Sequence, residues 1–294
     1  MMDFLLLVLA RWLHLGAVMI LFGSSLFRLY SVAPATLTTR LLHIATPIAC
    51  ASALAWVSGS IILVTDDITS LYDPAILSAY FLDTQFGRVW LICLAILVLI
   101  TALVFAPGPT IQKSNLRSAA LLVASGALLI SQAWLGHAAA GSPIGAWPPI
   151  FAYATHVIAA GAWLGGLPAL AELMAAPIEP GAVEATLRRF STMGIIGVAL
   201  ILVSGFANAV FRISSITDVV KIAYGQTIAI KIALLILLIG LAAQNRFYAM
   251  PRLRKQVGAS PALAILKRNV IIEQVLAAAI LLAAATLGLL APSG

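Results

Sequence analysis

Charged residues are scarce in this chain of 294 residues. Asp, Glu, Lys and Arg together make up 9% of it, whereas hydrophobic residues make up 62%. A soluble globule needs more polar side chains than this to cover its surface. The mean hydropathy of +1.08 likewise indicates a protein that is largely surrounded by lipid. The composition therefore excludes a soluble domain and predicts an all-α protein that crosses a membrane several times.

Cysteine and the common catalytic motifs are also lacking. Cys50 and Cys93 stand in apolar runs without CxxC spacing, which excludes a disulfide framework and a metal knuckle, so we expect them to fill gaps in the core. The sequence contains no Walker A lysine loop, no phosphorylation-type Asp motif and no nucleophile beside a base. We therefore predict that the protein is not an enzyme and that a gradient or a partner drives any transport.

Eight apolar runs are long enough to cross a hydrocarbon core, which takes about 20 helical residues. They lie near residues 4–30, 41–64, 89–106, 117–138, 149–172, 187–211, 226–248 and 267–291. The first run has no preceding positive segment and no small-residue cleavage site, so we expect an uncleaved first helix rather than a signal peptide. The runs predict a polytopic membrane protein with eight transmembrane helices.

The chain also repeats itself. Residues 11–25, RWLHLGAVMILFGSS, are similar to residues 153–167, YATHVIAAGAWLGGL, and this alignment places His14 over His156 and Gly23 over Gly165. Val57-Ser58-Gly59 returns in the same order as Val203-Ser204-Gly205. We therefore predict two parallel four-helix repeats, residues 1–140 and 141–294, that form one membrane domain with a histidine of each repeat at the same depth.

Basic residues predict the orientation, because Lys and Arg are retained on the cytoplasmic side. Four alternate loops carry twelve of the 17 basic residues, and the loop at 65–88 carries Asp66, Asp67, Asp73 and Asp83. Both termini are then periplasmic in a bacterial inner membrane. The net charge of +7 follows from topology and contact with anionic membrane lipid, and the lack of a basic patch interleaved with aromatics predicts no binding of nucleic acid.

Three of the four histidines fall in the predicted outer half. His14 and His156 lie inside helices and His137 closes the fourth helix, whereas His43 is at the cytoplasmic end of the second. Ionisable residues inside a membrane normally face the bundle interior and have a function. Three imidazoles without carboxylates or thiolates suit copper, as Cu(I) or Cu(II), because Cu(I) accepts two or three such ligands. We predict His14, His137 and His156 as copper ligands and His43 as an interface residue.

Other interpretations of the histidines remain open. A lone histidine can simply hydrogen-bond across a helix pair. His14 and His156 could be the axial ligands of one haem in a b-type cytochrome, although the inner half offers only His43 for a second haem. An assembly or sensor subunit without any ligand is a third alternative.

Further charged and small residues lie within the apolar runs. Arg11 could extend outward to the headgroups or hold a water or an anion near the site, and we expect the first. Lys231 and Glu273 could gate or relay ions. Alternatively, Lys231 reaches the headgroups and Glu273 pairs with a nearby base such as Lys267 or Arg268, which we expect.

Gly161 and Gly165, with Gly166 and Pro168, let another helix approach closely. They predict that the fifth helix is central.

Four stretches of the chain resemble the copper resistance D (CopD/PcoD) family. They are residues 84–90 (TQFGRVW), 156–166, 224–251 with Lys231 and AQNRF at 243–247, and 266–292 with Lys267, Arg268 and Glu273. The resemblance covers nearly the whole chain and implies eight helices and an outside N-terminus. It further implies an inner-membrane protein that accepts copper from a periplasmic carrier of the CopC type and moves it toward the cytoplasm. The chain has no fused carrier domain, so a separate partner is expected.

Overall fold

Eight long helices make up most of the chain in the computed structural model, which describes residues 2–32, 34–107, 115–135, 147–213, 215, 217–254 and 261–291. The helices are α1 (Met2–Tyr30), α2 (Thr39–Thr65), α3 (Gln85–Phe105), α4 (Asn115–Ser131), α5 (Trp147–Trp163), α6 (Pro180–Val210), α7 (Ala223–Gln244) and α8 (Pro261–Leu287). Within the described residues there is no strand, and all eight helices are long and apolar enough to cross a membrane. The prediction of an all-α, eight-span membrane protein is confirmed.

Helices α1 and α5 form the centre of the bundle. α1 packs on α2, α4, α5 and α8, and α5 packs on α4 and α6. In the most apolar stretch of each membrane span, 78% of the residues are buried in Trp147–Ala175, which begins with α5, and 56% in Phe4–Tyr30 of α1, whereas only 6% are buried in Ala223–Leu253, which begins with α7. The predicted central position of the fifth helix is confirmed, and α7 lies on the periphery with most of its surface facing lipid.

Glycines let α1 and α5 meet backbone to backbone. The fifth helix passes through a 3₁₀ turn, Leu164–Gly166, and continues as a short helix, Leu167–Ala175. A Cβ on Gly165 would lie 1.9 Å from the carbonyl oxygen of Met19, and one on Gly23 would lie 2.1 Å from the carbonyl carbon of Gly165. Gly23 and Gly165 are counterparts in the sequence repeat, so matching positions of the two halves touch at the centre.

The two halves are packed differently away from this contact. α2 packs on α3 in the first half. In the second half a cavity of about 390 Å³ is lined by residues of α6, α7 and α8 and by Trp163 of α5. The arrangement as two equivalent four-helix repeats stays a prediction.

A short folded segment joins α2 to α3 on the acidic side. It consists of a 3₁₀ helix, Ile68–Tyr72, a helical turn, Pro74–Ser78, and a π-helical turn, Ala79–Asp83. The Asp67 carboxylate accepts hydrogen bonds from the backbone and side chain of Thr69, which lower its pKa. Asp73 likewise caps the second turn by accepting from the Ala75 amide at 2.8 Å, so this loop is ordered by its own carboxylates.

Candidate metal-binding site

His14 is fully buried in α1, with no exposed surface. Its Nδ1 lies 3.1 Å from the carbonyl oxygen of Ala49 in α2. A carbonyl oxygen can only accept, so Nδ1 carries the proton and Nε2 carries the lone pair. Nε2 is buried and has no hydrogen-bond partner in the protein. A ring nitrogen that donates to a backbone carbonyl while the other is left free is the arrangement found in metal-ligating histidines.

Two tryptophans form the walls around His14. The ring centroids of Trp56 in α2 and Trp90 in α3 lie 5.7 Å and 5.6 Å from the imidazole centroid, and 5.1 Å from each other. The Trp90 indole nitrogen is also buried without a partner. Aromatic rings present a negative π face to cations. The first histidine therefore sits in an aromatic, water-excluding pocket within its own half of the bundle.

Arg11 does not extend outward as expected. It is 8% exposed, and its guanidinium carbon lies 4.3 Å from the Trp56 ring centroid. Its Nε donates to the carbonyl oxygen of Ala285 in α8 at 3.2 Å, and a Cβ on Gly288 would collide with the guanidinium. The prediction of an outward-reaching arginine is wrong, because α8 supplies a backbone acceptor and a glycine notch that hold the side chain inside.

His156 is oriented by a hydroxyl of the neighbouring helix. Its Nδ1 lies 3.1 Å from the Oγ of Ser204 in α6. Ser204 donates its own hydrogen to the carbonyl oxygen of Leu200, so its Oγ accepts from Nδ1–H. Gly205 makes room for the ring, since a Cβ there would lie 3.3 Å from Cε1. His156 thus has the same tautomer as His14, with Nε2 as the nitrogen that carries the lone pair.

Two basic side chains act on the second histidine. Lys231 of α7 and Arg212 act on it electrostatically. Arg212 donates to the Oδ1 of Asn208 at 2.9 Å, and Asn208 donates to the backbone carbonyl of Ser204 at 2.8 Å. A cation that binds at His156 must therefore be held by bonds to its ligands rather than by the local charge.

The two histidines occupy different environments. Ala49 lies about 24 Å from the acidic-side end of α2, whereas Ser204 lies about 9 Å from the corresponding end of α6. Ser58, the repeat counterpart of Ser204, is not the partner of His14. Within the described ranges no hydrogen bond or ring contact joins the two imidazoles, and each faces its own half. Their predicted equivalence is therefore not reproduced in their contacts.

The remaining predicted ligand cannot be compared. His137 lies outside the described residues, and His43 is exposed and bonds through Nδ1 to Thr39 of its own helix at 2.7 Å. In the part of the chain that the structure describes, no group of three or more His, Cys, Asp or Glu side chains could hold a metal. Cys50 and Cys93 are free thiols that contact the hydroxyls of Thr101 and Ser131.

A polar network in the second half was missed by sequence reasoning. Glu273 of α8 is 3% exposed, and its Oε1 accepts from the Nδ2 of Asn245 at 2.8 Å. The Oδ1 of Asn245 in turn accepts from the Nδ2 of Asn269 at 2.7 Å. The expected pairing of Glu273 with Lys267 or Arg268 is wrong, because the carboxylate instead accepts from the amide of Asn245, in the π-helical turn Asn245–Ala249 that follows α7. The sequence signal that could have predicted this network is the pair Asn245 and Asn269, near the ends of two apolar runs.

Comparison with known proteins identifies the family. Residues 1–147 match the family profile described as "Copper resistance protein D-like, N-terminal domain", and residues 184–287 match "Copper resistance protein D". No solved structure matches the chain.

Three relatives are similar over long stretches. "Copper resistance protein D" of Pseudomonas syringae pv. tomato is 31% identical over 253 residues, 81% of this chain and 80% of the relative. "Inner membrane protein YebZ" of Escherichia coli (strain K12) is 31% identical over 261 residues, 83% of this chain and 84% of the relative. "Copper transport protein CutJ" of Bacillus subtilis (strain 168) is 30% identical over 201 residues, 65% of this chain but 35% of the relative. Together with the two profile matches, these similarities show that the chain belongs to the copper resistance protein D family.

Proposed function

We propose that this protein carries copper ions inward across the bacterial inner membrane, with His14 and His156 as ligands along the path. The observation that supports this most strongly is the buried, unpartnered Nε2 of His14. An imidazole in hydrocarbon normally satisfies both nitrogens. One that uses Nδ1 for a backbone carbonyl and leaves Nε2 free is set up to bind a metal ion.

The ligand types favour copper over other ions. Neutral imidazole suits copper, and Cu(I) accepts as few as two ligands. The aromatic walls of Trp56 and Trp90 suit a singly charged soft cation better than a strongly hydrated divalent one. The names of two relatives, a copper resistance protein and a copper transport protein, support the same cargo. None of the names in these comparisons supports the haem alternative.

The separate environments of the two histidines favour two successive copper-binding sites over one shared site. The Nδ1 of each imidazole bonds to a helix of its own half, and the halves touch through Gly23 and Gly165. We propose that copper enters from the periplasmic side past His137 and passes His156 and His14. A periplasmic carrier of the CopC type would supply the copper. With both termini outside, as predicted, the His137 end of the path faces the periplasm and this carrier.

Copper binding to matched histidine variants tests the proposal. His14→Asn and His156→Asn keep a side-chain N–H close to the position of Nδ1, and so keep the hydrogen bond to Ala49 or Ser204, but remove Nε2. His43→Asn is the control, because His43 is exposed and bonds within its own helix. Purified protein is loaded anaerobically with Cu(I) and desalted, and copper and iron are measured together.

We expect copper to be retained by the wild type and by His43→Asn, and to be lost stepwise in the other two variants. Transport is then followed in proteoliposomes that contain a Cu(I) chelator. Copper content equal to that of the wild type in both site variants would refute the ligand assignment. Histidine-dependent iron in place of copper would instead support a b-type cytochrome.

A further inference from the structure

Glu273 is an acidic side chain buried within a membrane helix. It lies about 18 Å along α8 from Pro261, near the middle of the helix, and it is 3% exposed. Asn245 donates to its Oε1, and the described residues place no cation in an ion pair with it. A carboxylate at this depth costs free energy, so it is kept where it has a function, and such residues mark ion or proton pathways.

The hydrogen bonds around Glu273 run in one direction. Arg268 donates to the Oδ1 of Asn269 at 3.5 Å, Asn269 donates to Asn245, and Asn245 donates to Glu273. Every donor in this chain points toward the carboxylate, and the positive charge lies at its far end. Such a polarised chain stabilises the ionised form without placing a cation on it, and Oε1 can still accept from Asn245 when Oε2 carries a proton.

Glu273 also lines the cavity of about 390 Å³ in the second half. Most of the lining is apolar, and Arg246 and Glu273 are the charged residues among those that form it. Arg246 donates to the Oγ of Ser191 in α6 at 2.7 Å. The cavity therefore contains one fixed positive charge and one carboxyl group, and it becomes neutral when the carboxyl group ionises.

The cavity suits a proton better than copper. Its lining offers a copper ion only the Glu273 carboxylate and the Met250 thioether, with no imidazole or thiolate. Cu(I) prefers soft thiolate, thioether or imidazole ligands, and the one thioether in the lining is too few to hold it. A proton needs only the carboxylate.

We infer that Glu273 is a proton-binding site that takes up and releases protons through this cavity and couples proton movement to copper movement. The exchange is a simple ionisation, in which the carboxylic acid releases H⁺ to water and becomes the carboxylate. The coupling rests on the proposed transport of copper, whereas the proton binding does not. The proton gradient would then supply the driving force, since the sequence contains no nucleotide-binding motif.

Infrared difference spectroscopy tests proton binding without copper. The full-length protein in lipid nanodiscs is titrated with pH, and the carbonyl stretch of a protonated carboxylic acid is followed. Glu273→Gln removes the titrating group but keeps an oxygen to accept from Asn245. Glu179→Gln, an exposed residue at the start of α6, is the matched control. We expect a titrating band in the wild type and the control that is missing in Glu273→Gln; an identical band in all three would overturn the assignment.

Proteoliposomes test the coupling. With the membrane potential clamped at zero, a gradient of one pH unit is a tenfold ratio of proton activity, so movement of one proton in the same direction as each copper ion changes the copper accumulation ratio about tenfold. The wild type and Glu179→Gln should show this change and Glu273→Gln should not. Gradient-dependent accumulation in Glu273→Gln would refute the coupling.

Two further outcomes separate this inference from the proposed function. A wild type that moves no copper would refute transport, while the infrared band alone would still decide whether Glu273 binds a proton. Loss of one copper equivalent on loading of Glu273→Gln would make the cavity a metal site and overturn the proton assignment.

Discussion

The contact between Gly23 and Gly165 gives a sharp test of how the two halves are joined. In Gly23→Ala the new Cβ would lie 2.1 Å from the carbonyl carbon of Gly165, 2.4 Å from the amide nitrogen of Gly166 and 2.5 Å from the carbonyl oxygen of Gly165. All three are backbone atoms, which cannot move aside by a rotamer change. Carbon atoms pack best at about 3.5 Å or more, so the chains must separate by roughly 1.4 Å.

The cost of that separation can be estimated. Overpacking in a well-packed core lowers the free energy of unfolding by about 1–3 kcal/mol. Replacing glycine by alanine within a helix raises it by up to about 1 kcal/mol. Gly16→Ala is the control on the same helix, because a Cβ there has nothing within 4 Å. We expect Gly23→Ala to unfold several degrees lower than the wild type, at about 2–4 °C per kcal/mol, and Gly16→Ala to unfold at the same temperature or slightly higher.

Thermal unfolding in detergent or nanodiscs, followed by circular dichroism, measures the difference. Equal midpoints for Gly23→Ala and Gly16→Ala would refute the backbone contact between α1 and the turn after α5. Because this contact joins counterpart positions of the sequence repeat, that result would also remove the strongest structural support for two halves related by a central axis.

Two more predictions follow from single hydrogen bonds. Trp12→Phe removes the indole N–H that donates to the carbonyl oxygen of Ala278 at 2.9 Å, so it should lower the free energy of unfolding by about 1 kcal/mol. The control Trp147→Phe, at a 63% exposed site, should leave it unchanged. Equal unfolding midpoints for the two variants would contradict the hydrogen bond between α1 and α8. Ser204→Ala removes the acceptor that orients His156 and should weaken Cu(I) affinity about 10–100-fold without removing the imidazole, measured by competition with a Cu(I) chelator; unchanged affinity would show that Ser204 does not position a copper ligand.

Much of the fold follows from the sequence alone. A bilayer core fixes the length of a spanning helix, and hydrocarbon leaves backbone groups no partner outside the helix. The eight apolar runs were therefore sufficient to predict eight helices, and the small residues from 161 to 166 were sufficient to predict that the fifth is central. The family resemblance, drawn from motifs such as residues 84–90, is likewise confirmed by the profile matches.

The surroundings of each functional side chain depended on tertiary structure. Sequence identified His14 as an intramembrane imidazole, but only the packing of α2 and α3 against α1 shows that Nδ1 is bonded, that Nε2 is free and that two indoles enclose it. The partners of Arg11 and Glu273 were predicted wrongly because hydrogen-bond acceptors and donors on other helices, distant in sequence, determine them. Periodicity and composition report which residues enter the membrane, whereas the helix register decides which atoms meet there.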